Sequence, residues 1–99
     1  MLLKDKEGLA RLGDFVKVAV DIERGAVAAG CELHIDCAEE LIKDGSESKN
    51  IWGANVYPQE SKIDYVSLLN IRPHAGNRSM EIQLPEVKAK VEEILRKFL

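Results

Sequence analysis

Two runs of alternating apolar residues, separated by one break, constrain this chain more than any other feature. Val16, Val18, Val20 and Ile22 alternate with Lys17, Ala19, Asp21 and Glu23. After Arg24-Gly25 the alternation resumes with Val27, Ala29, Cys31, Leu33 and Ile35. A period of two places alternate side chains on opposite faces of a half-buried strand. A two-residue turn at Arg24-Gly25 sets Ile22 opposite Val27, Val20 opposite Ala29, Val18 opposite Cys31 and Val16 opposite Leu33. Core-facing residues then meet core-facing residues, a match that a one-residue slip would destroy. Lys17 falls across from Glu32, opposite charges on the other face. Arg24 suits the positive φ of a tight primed turn poorly, which leaves a longer loop of the same parity open.

The flanking segments complete the pattern. Residues 2–12 read as a short helix, weakened by Gly8 and closed near Gly13. Residues 37–43 read as a second helix, with Asp36 or Cys37 near its cap and Asp44-Gly45-Ser46 at its end. Ser46 to Asn50 is a polar loop, Ile51 to Tyr57 a third strand, and Pro58 to Ser61 a turn. Lys62 to Arg72 reads as a fourth strand whose apolar residues fall on both faces, as in a central or doubly covered strand. Pro73 to Ser79 is an irregular loop, and Met80-Glu81-Ile82 a short extended piece. In residues 86–98, Val87, Val91, Ile94, Leu95 and Phe98 form one helical stripe. Pro85 suits that helix's first turn, where its missing N–H costs nothing. The sum is an α+β domain over residues 1–99: an antiparallel sheet of four to five strands with two to three helices packed on one face.

Composition bounds the function classes. At 99 residues the chain supports one thin core, so a partner chain covering an apolar face would help it. With 45% hydrophobic residues it is not a disordered chain. A net charge of −3 offers no basic excess for nucleic acid or anionic membrane. No apolar stretch is long enough for a transmembrane helix. The first residues, with acids and no apolar core, do not read as a secretory signal, so a cytoplasmic protein is expected. On one extended strand Cys31 and Cys37 would stand about 20 Å apart. A disulfide needs Cα atoms within about 7 Å, so two reduced thiols are expected.

The hairpin parity turns Glu32, His34 and Asp36 outward together. On that face His34 is a candidate base beside Asp36, and the three side chains together are a candidate metal site. Strand neighbours two apart diverge, so such a metal would need ligands from elsewhere. The plainer alternative is a solvated strand face with an ordinary histidine. Asn70 and Arg72 join the same side if the fourth strand keeps its register. Arg72, His74, Asn77 and Arg78 surround Gly76, and a pair of guanidinium forks there suits a carboxylate or phosphate. Alternatively, the arginines pair with sheet-face acids and pin the loop. Trp52, Gly53 and Asn55 either line a pocket or pack in the core. Cys31, on the core face, reads as an inert buried thiol.

Val20-Asp21-Ile22-Glu23-Arg24, Gly30 with Glu32-Leu33-His34-Ile35-Asp36-Cys37, Trp52-Gly53-Ala54-Asn55-Val56-Tyr57, Ile71-Arg72-Pro73 and Asn77-Arg78-Ser79-Met80-Glu81-Ile82 follow in order. In this combination the chain resembles a family of small prokaryotic proteins of unknown function, over roughly residues 15–98. The His-x-Asp and Asn-Arg-Ser segments match that family's polar motifs. The resemblance implies no activity, cofactor or catalytic residue. Cys31 stands where the family pattern has glycine, and Leu84 where an aspartate helix cap is usual, a loss of about 1 kcal/mol.

Three readings follow, in decreasing order of support. The first is a homodimeric interaction or regulatory domain. The second is a small-anion binding domain or enzyme, with His34 and Asp36 catalytic and Glu32, Asn55, Asn70, Arg72, Asn77 and Arg78 binding the ligand. The third is a metal site at Glu32, His34 and Asp36.

Overall fold

Strand β1 (Val16–Asp21) forms where the first alternating run lies, in a computed structural model that describes residues 1–5 and 7–99. It pairs antiparallel with β2 (Ala26–Ala29) and with β3 (Ile51–Tyr57), and β3 pairs antiparallel with β4 (Lys62–Asp64). The strand order is β2-β1-β3-β4. Helices α1 (Glu7–Arg11), α2 (His34–Lys43) and α3 (Pro85–Arg96) complete an α+β fold with four antiparallel strands. Among the described residues, no helix is long and apolar enough to cross a membrane. Lys6, within the expected first helix, lies outside the described residues. Ahead of it Leu2 bridges Ala28, so α1 is shorter than the expected 2–12.

The β1–β2 register differs from the expected one by two residues. Val20 faces Val27 and Val18 faces Ala29. The turn is four residues long, Ile22 to Gly25, because the Asp21 carboxylate accepts the backbone N–H groups of Glu23 and Arg24 at 2.9 and 3.0 Å. Gly25 closes it at φ +73°, a left-handed conformation that glycine adopts without penalty. An even displacement preserves parity, so the valines still meet across the ladder.

The second run does not continue as strand. Gly30, at φ +80°, turns the chain away, and α2 begins at His34 rather than Cys37. The apolar alternation through Leu33 and Ile35 misleads because both are exposed. The buried residues are Cys37, Ala38 and Leu41, a helical spacing. This bend also overturns the expectation of two distant reduced thiols. Cys31 and Cys37 are 5.7 Å apart at Cα and joined as a disulfide.

The fourth strand is likewise shorter than expected. It ends at Asp64 and lies at the sheet edge, not its centre. Beyond it Val66 bridges Glu81, and residues 68–70 and 73–75 form 3-10 turns. Its two-faced apolar pattern reflects irregular backbone. Met80-Glu81-Ile82 is extended through that bridge, with the Ser67 N–H donating to the Met80 carbonyl and the Ile82 N–H to the Tyr65 carbonyl.

The helices cover both faces of the sheet, where one face was expected. Val16, Val18, Val20, Val27, Trp52, Ala54 and Val56 pack with Leu9 of α1 and with Val87, Val91, Ile94 and Leu95 of α3. On the opposite face Ala19, Ala28 and Ile51 receive Cys37, Ala38 and Leu41 of α2. The alternating charges of β1 disguise that second face. Its buried alanines form a shallow floor against which a helix packs closely.

Candidate functional site

Short side chains leave room beside α2, and a pocket of about 360 Å³ opens there. Its floor is the α2 face of the sheet at Lys17 and Asn55. One wall is Leu33, His34 and Ile35 at the start of α2. The other is Val66, Ser67, Leu68 and Leu69, with Met80 alongside. Gly53 permits this closeness. A Cβ there would sit 2.5 Å from the Ser67 Cβ, nearer still to Oγ, and 3.4 Å from His34 Cδ2. Glycine within a strand often marks such an approach.

The chain holds this wall with one amide. Where β4 leaves β3, the Asn70 side chain takes a strand's place. Its Oδ1 accepts the Gly53 N–H at 2.9 Å, and its Nδ2 donates to the Gly53 carbonyl at 2.9 Å and the Met80 carbonyl at 3.0 Å. Ser67 Oγ accepts the Leu69 N–H and caps the 68–70 turn.

The polar atoms of the pocket are few. His34 Nε2 lies 2.9 Å from the Ala54 carbonyl. A carbonyl only accepts, so Nε2 carries the proton and neutral His34 keeps its Nδ1 lone pair. Burial pushes the His34 pKa below its ordinary value, and the Lys17 charge adds to this. Polar contacts with Ala54 and Asn55 oppose the shift only in part. The imidazole is therefore neutral near pH 7. Asn55 Nδ2 donates to the Val66 carbonyl at 3.4 Å, while its buried Oδ1 lies beside the His34 ring and completes no well-formed hydrogen bond among the described residues. Lys17 Nζ donates to the Glu32 carbonyl at 2.8 Å, leaving two of its three protons. Among the described residues, no acidic one lines the pocket. At its mouth Leu33 is 58% exposed and Leu68 72% exposed, with Ile35 and Met80 also exposed.

Of the residues singled out from sequence, the pocket brings together His34 and Asn55. Glu32 and Asp36 are exposed and do not line it. His34 and Asp36 lie two apart on a helix, where side chains do not face each other. The shared strand face that grouped 32, 34 and 36 is absent, and the three form no metal-ligating cluster among the described residues. Asn70 is fully buried in the clamp above. Asn77, also fully buried, donates to the carbonyls of Asn70, Ser79 and Glu81 and accepts the Gln83 N–H. Arg72 donates to the carbonyls of Leu69, Lys49 and Ile51 and lies over the Trp52 ring at 4.9 Å. Arg78 is exposed on the following loop. Trp52 packs in the core, while Gly53 and Asn55 serve the pocket face.

Sequence reasoning missed Lys17, Ser67 and the apolar rim. Gly53 inside a strand was the available signal. A larger polar groove, about 430 Å³, lies by the β1–β2 turn. Its cations are engaged: Arg24 with Asp44 at 2.7 Å and Ser46 at 2.6 Å, and Lys49 with Glu47 at 3.3 Å.

An antiparallel sheet between helices, with a small apolar pocket holding a neutral imidazole, defines an α+β domain with one well-framed candidate site. The chain belongs to the family described as protein of unknown function DUF5674, whose model spans residues 4–98. No curated protein and no solved structure matches it.

Proposed function

We propose that this domain binds a small amphipathic anion, a compact apolar body bearing a carboxylate-like head, in the pocket beside the first turn of α2. The observation that carries the reading is the composition of that pocket. Apolar walls surround a lysine, a neutral imidazole and the unpartnered Asn55 Oδ1, with no acid among them. Ligand sites commonly combine apolar lining with a few convergent polar groups. At about 30 Å³ per water-sized group, the volume holds roughly a dozen non-hydrogen atoms. Lys17 supplies the charge for the head group. Asn55 Oδ1 accepts from any donor on the ligand. Binding is favoured over catalysis because, among the described residues, no carboxylate lines the pocket to orient His34 as a base. Cytoplasmic residence belongs to this reading, with the disulfide of the reversible kind found in reducing compartments.

Isothermal titration with octanoate and with octanamide tests the proposal. Octanoate should bind, octanamide should bind more weakly, and Lys17→Met should remove the difference. Equal weak binding of both, unaffected by Lys17→Met, would count against it.

A second reading rests on the exposed rim of Leu33, Ile35, Leu68 and Met80. A contiguous apolar patch of this kind also suits a contact between two copies of the chain. Light scattering after size-exclusion chromatography decides that case. A dimer disrupted by Leu68→Asp supports it, and a strict monomer at micromolar concentration rejects it.

A further inference from the structure

Cys37 and Glu40 stand three residues apart on α2, a spacing that puts both side chains on one helix face. Cys31 approaches the same spot from the turn after Gly30. Its Sγ lies 3.2 Å from Glu40 Oε1, and one ligand atom from each of the three residues falls within 4.8 Å of the others. Cys37 is fully buried, while Cys31 and Glu40 are half-buried. The donors therefore sit at the edge of the core, within reach of an incoming ion. Two thiolates and one carboxylate form a soft-leaning set that selects zinc over magnesium or calcium.

We propose that the reduced Cys31–Cys37 pair and Glu40 form a zinc-binding site, with the fourth position left to water, and that closing the disulfide abolishes it. Opening the bond takes two electrons and two protons and yields two thiols: two reductant thiols supply both and become a disulfide, or a phosphine supplies the electrons and becomes its oxide, with water giving the oxygen and the protons. Zinc then displaces two protons as both sulfurs bind as thiolates. Tetrahedral zinc, with Zn–S near 2.3 Å and Zn–O near 2.0–2.2 Å, places its ligands about 3.5–3.8 Å apart. The Cys31–Glu40 separation is already close to that. The sulfurs, once unbonded, need only a small side-chain rotation across a Cα separation of 5.7 Å. The Met1 ammonium, 2.9 Å from Glu40 Oε1, is the competing cation and must yield its place. This site does not depend on the ligand pocket, although residues 33–35 between the two cysteines belong to both neighbourhoods.

The test uses the full chain reduced with a phosphine under anaerobic conditions and then freed of reductant. Zinc is titrated in competition with a chromophoric chelator, and cobalt(II) serves as the spectroscopic probe. The reduced protein should take up one zinc per chain and show thiolate-to-cobalt charge transfer with tetrahedral d–d bands. The oxidised protein should show neither. Cys31→Ser and Glu40→Gln alter half-buried positions and spare the buried Cys37. Each should weaken zinc binding by more than the roughly 10–100-fold that losing an outer-shell partner costs. Glu40→Gln should still form the disulfide, which checks that the segment is folded. Uptake below about a tenth of an equivalent by the reduced protein would overturn the proposal. So would unchanged affinity in Glu40→Gln, or equal binding by the oxidised form.

Discussion

Replacing Gly53 by alanine tests the close approach that builds the pocket. The new methyl would sit 2.5 Å from the Ser67 Cβ, where ordinary contact begins near 3.4 Å, so the wall must retreat by roughly 1 Å. Ser67 cannot step aside freely. It is 2% exposed, its N–H donates to the Met80 carbonyl at 3.0 Å, and its Oγ caps the 68–70 turn at 3.1 Å. His34 Cδ2, 3.4 Å from the methyl, closes the other side. Overpacking of this kind costs about 1–3 kcal/mol. In a domain of this size that lowers the melting temperature by about 5–20 °C. Urea denaturation of Gly53→Ala, Ser67→Gly and the double variant separates the clash from other effects. Ser67→Gly alone loses the side-chain cap, which with glycine in its place costs roughly a few tenths of a kcal/mol. In the double variant the alanine should cost less than it does alone, giving a coupling of about 1 kcal/mol or more. A Gly53→Ala variant within about 0.5 kcal/mol of the native protein, or strictly additive costs, would refute the reasoning.

Other consequences follow from the same geometry. Asn70→Ala strands the Gly53 N–H and the Gly53 carbonyl, while the Met80 carbonyl keeps the Ser67 N–H. At about 1–3 kcal/mol per buried unsatisfied group, it should lower stability by at least about 2 kcal/mol in chemical denaturation. Acid should destabilise the fold in two windows. The folded His34 pKa is depressed by burial, so the unfolded chain takes up the proton first, and stability falls as pH drops below about 6.5. His34→Gln should flatten that limb. Burial raises the Asp21 pKa, but hydrogen bonds from Ser46 and from the Arg24 and Glu23 amides outweigh it and leave the pKa depressed. Its contribution is present above the unfolded carboxylate pKa near 3.9 and is lost as pH falls through the lower folded value. Asp21→Asn should remove that second loss in melting curves recorded from pH 5 to 2. A bound octanoate carboxylate favours the charged form of the neutral His34, so binding takes up a proton, affinity should rise as pH falls from 7.5 to 5.5, and His34→Gln should abolish the trend.

What the sequence made legible depended on how local the cause was. Strand β3 was readable from Ile51 to Tyr57, and α3 from Pro85 and its apolar stripe, because each signal lies within the element. The first turn of α2 was hidden. Leu33, His34, Ile35 and Asp36 mimic strand alternation, and only the burial of Cys37, Ala38 and Leu41 shows a helical period. Moving that turn off the strand carried the Cys31–Cys37 pairing with it. Asn70, Asn77 and Arg72 drew notice because their side chains bond strongly, and here that capacity is used on backbone groups where β4 departs. Lys17 and Ser67 reach the pocket through tertiary approach, which no spacing along the chain encodes.

The state of the His34 side chain is the most direct measure of the site. Long-range nitrogen–proton NMR on the imidazole, recorded across pH with and without octanoate, reads the tautomer and the protonation together. The account predicts a proton on Nε2, a midpoint below 6.5 in the free protein, and an upward move when octanoate occupies the pocket. A proton on Nδ1, or a midpoint at or above 6.5 that ignores octanoate, would contradict it.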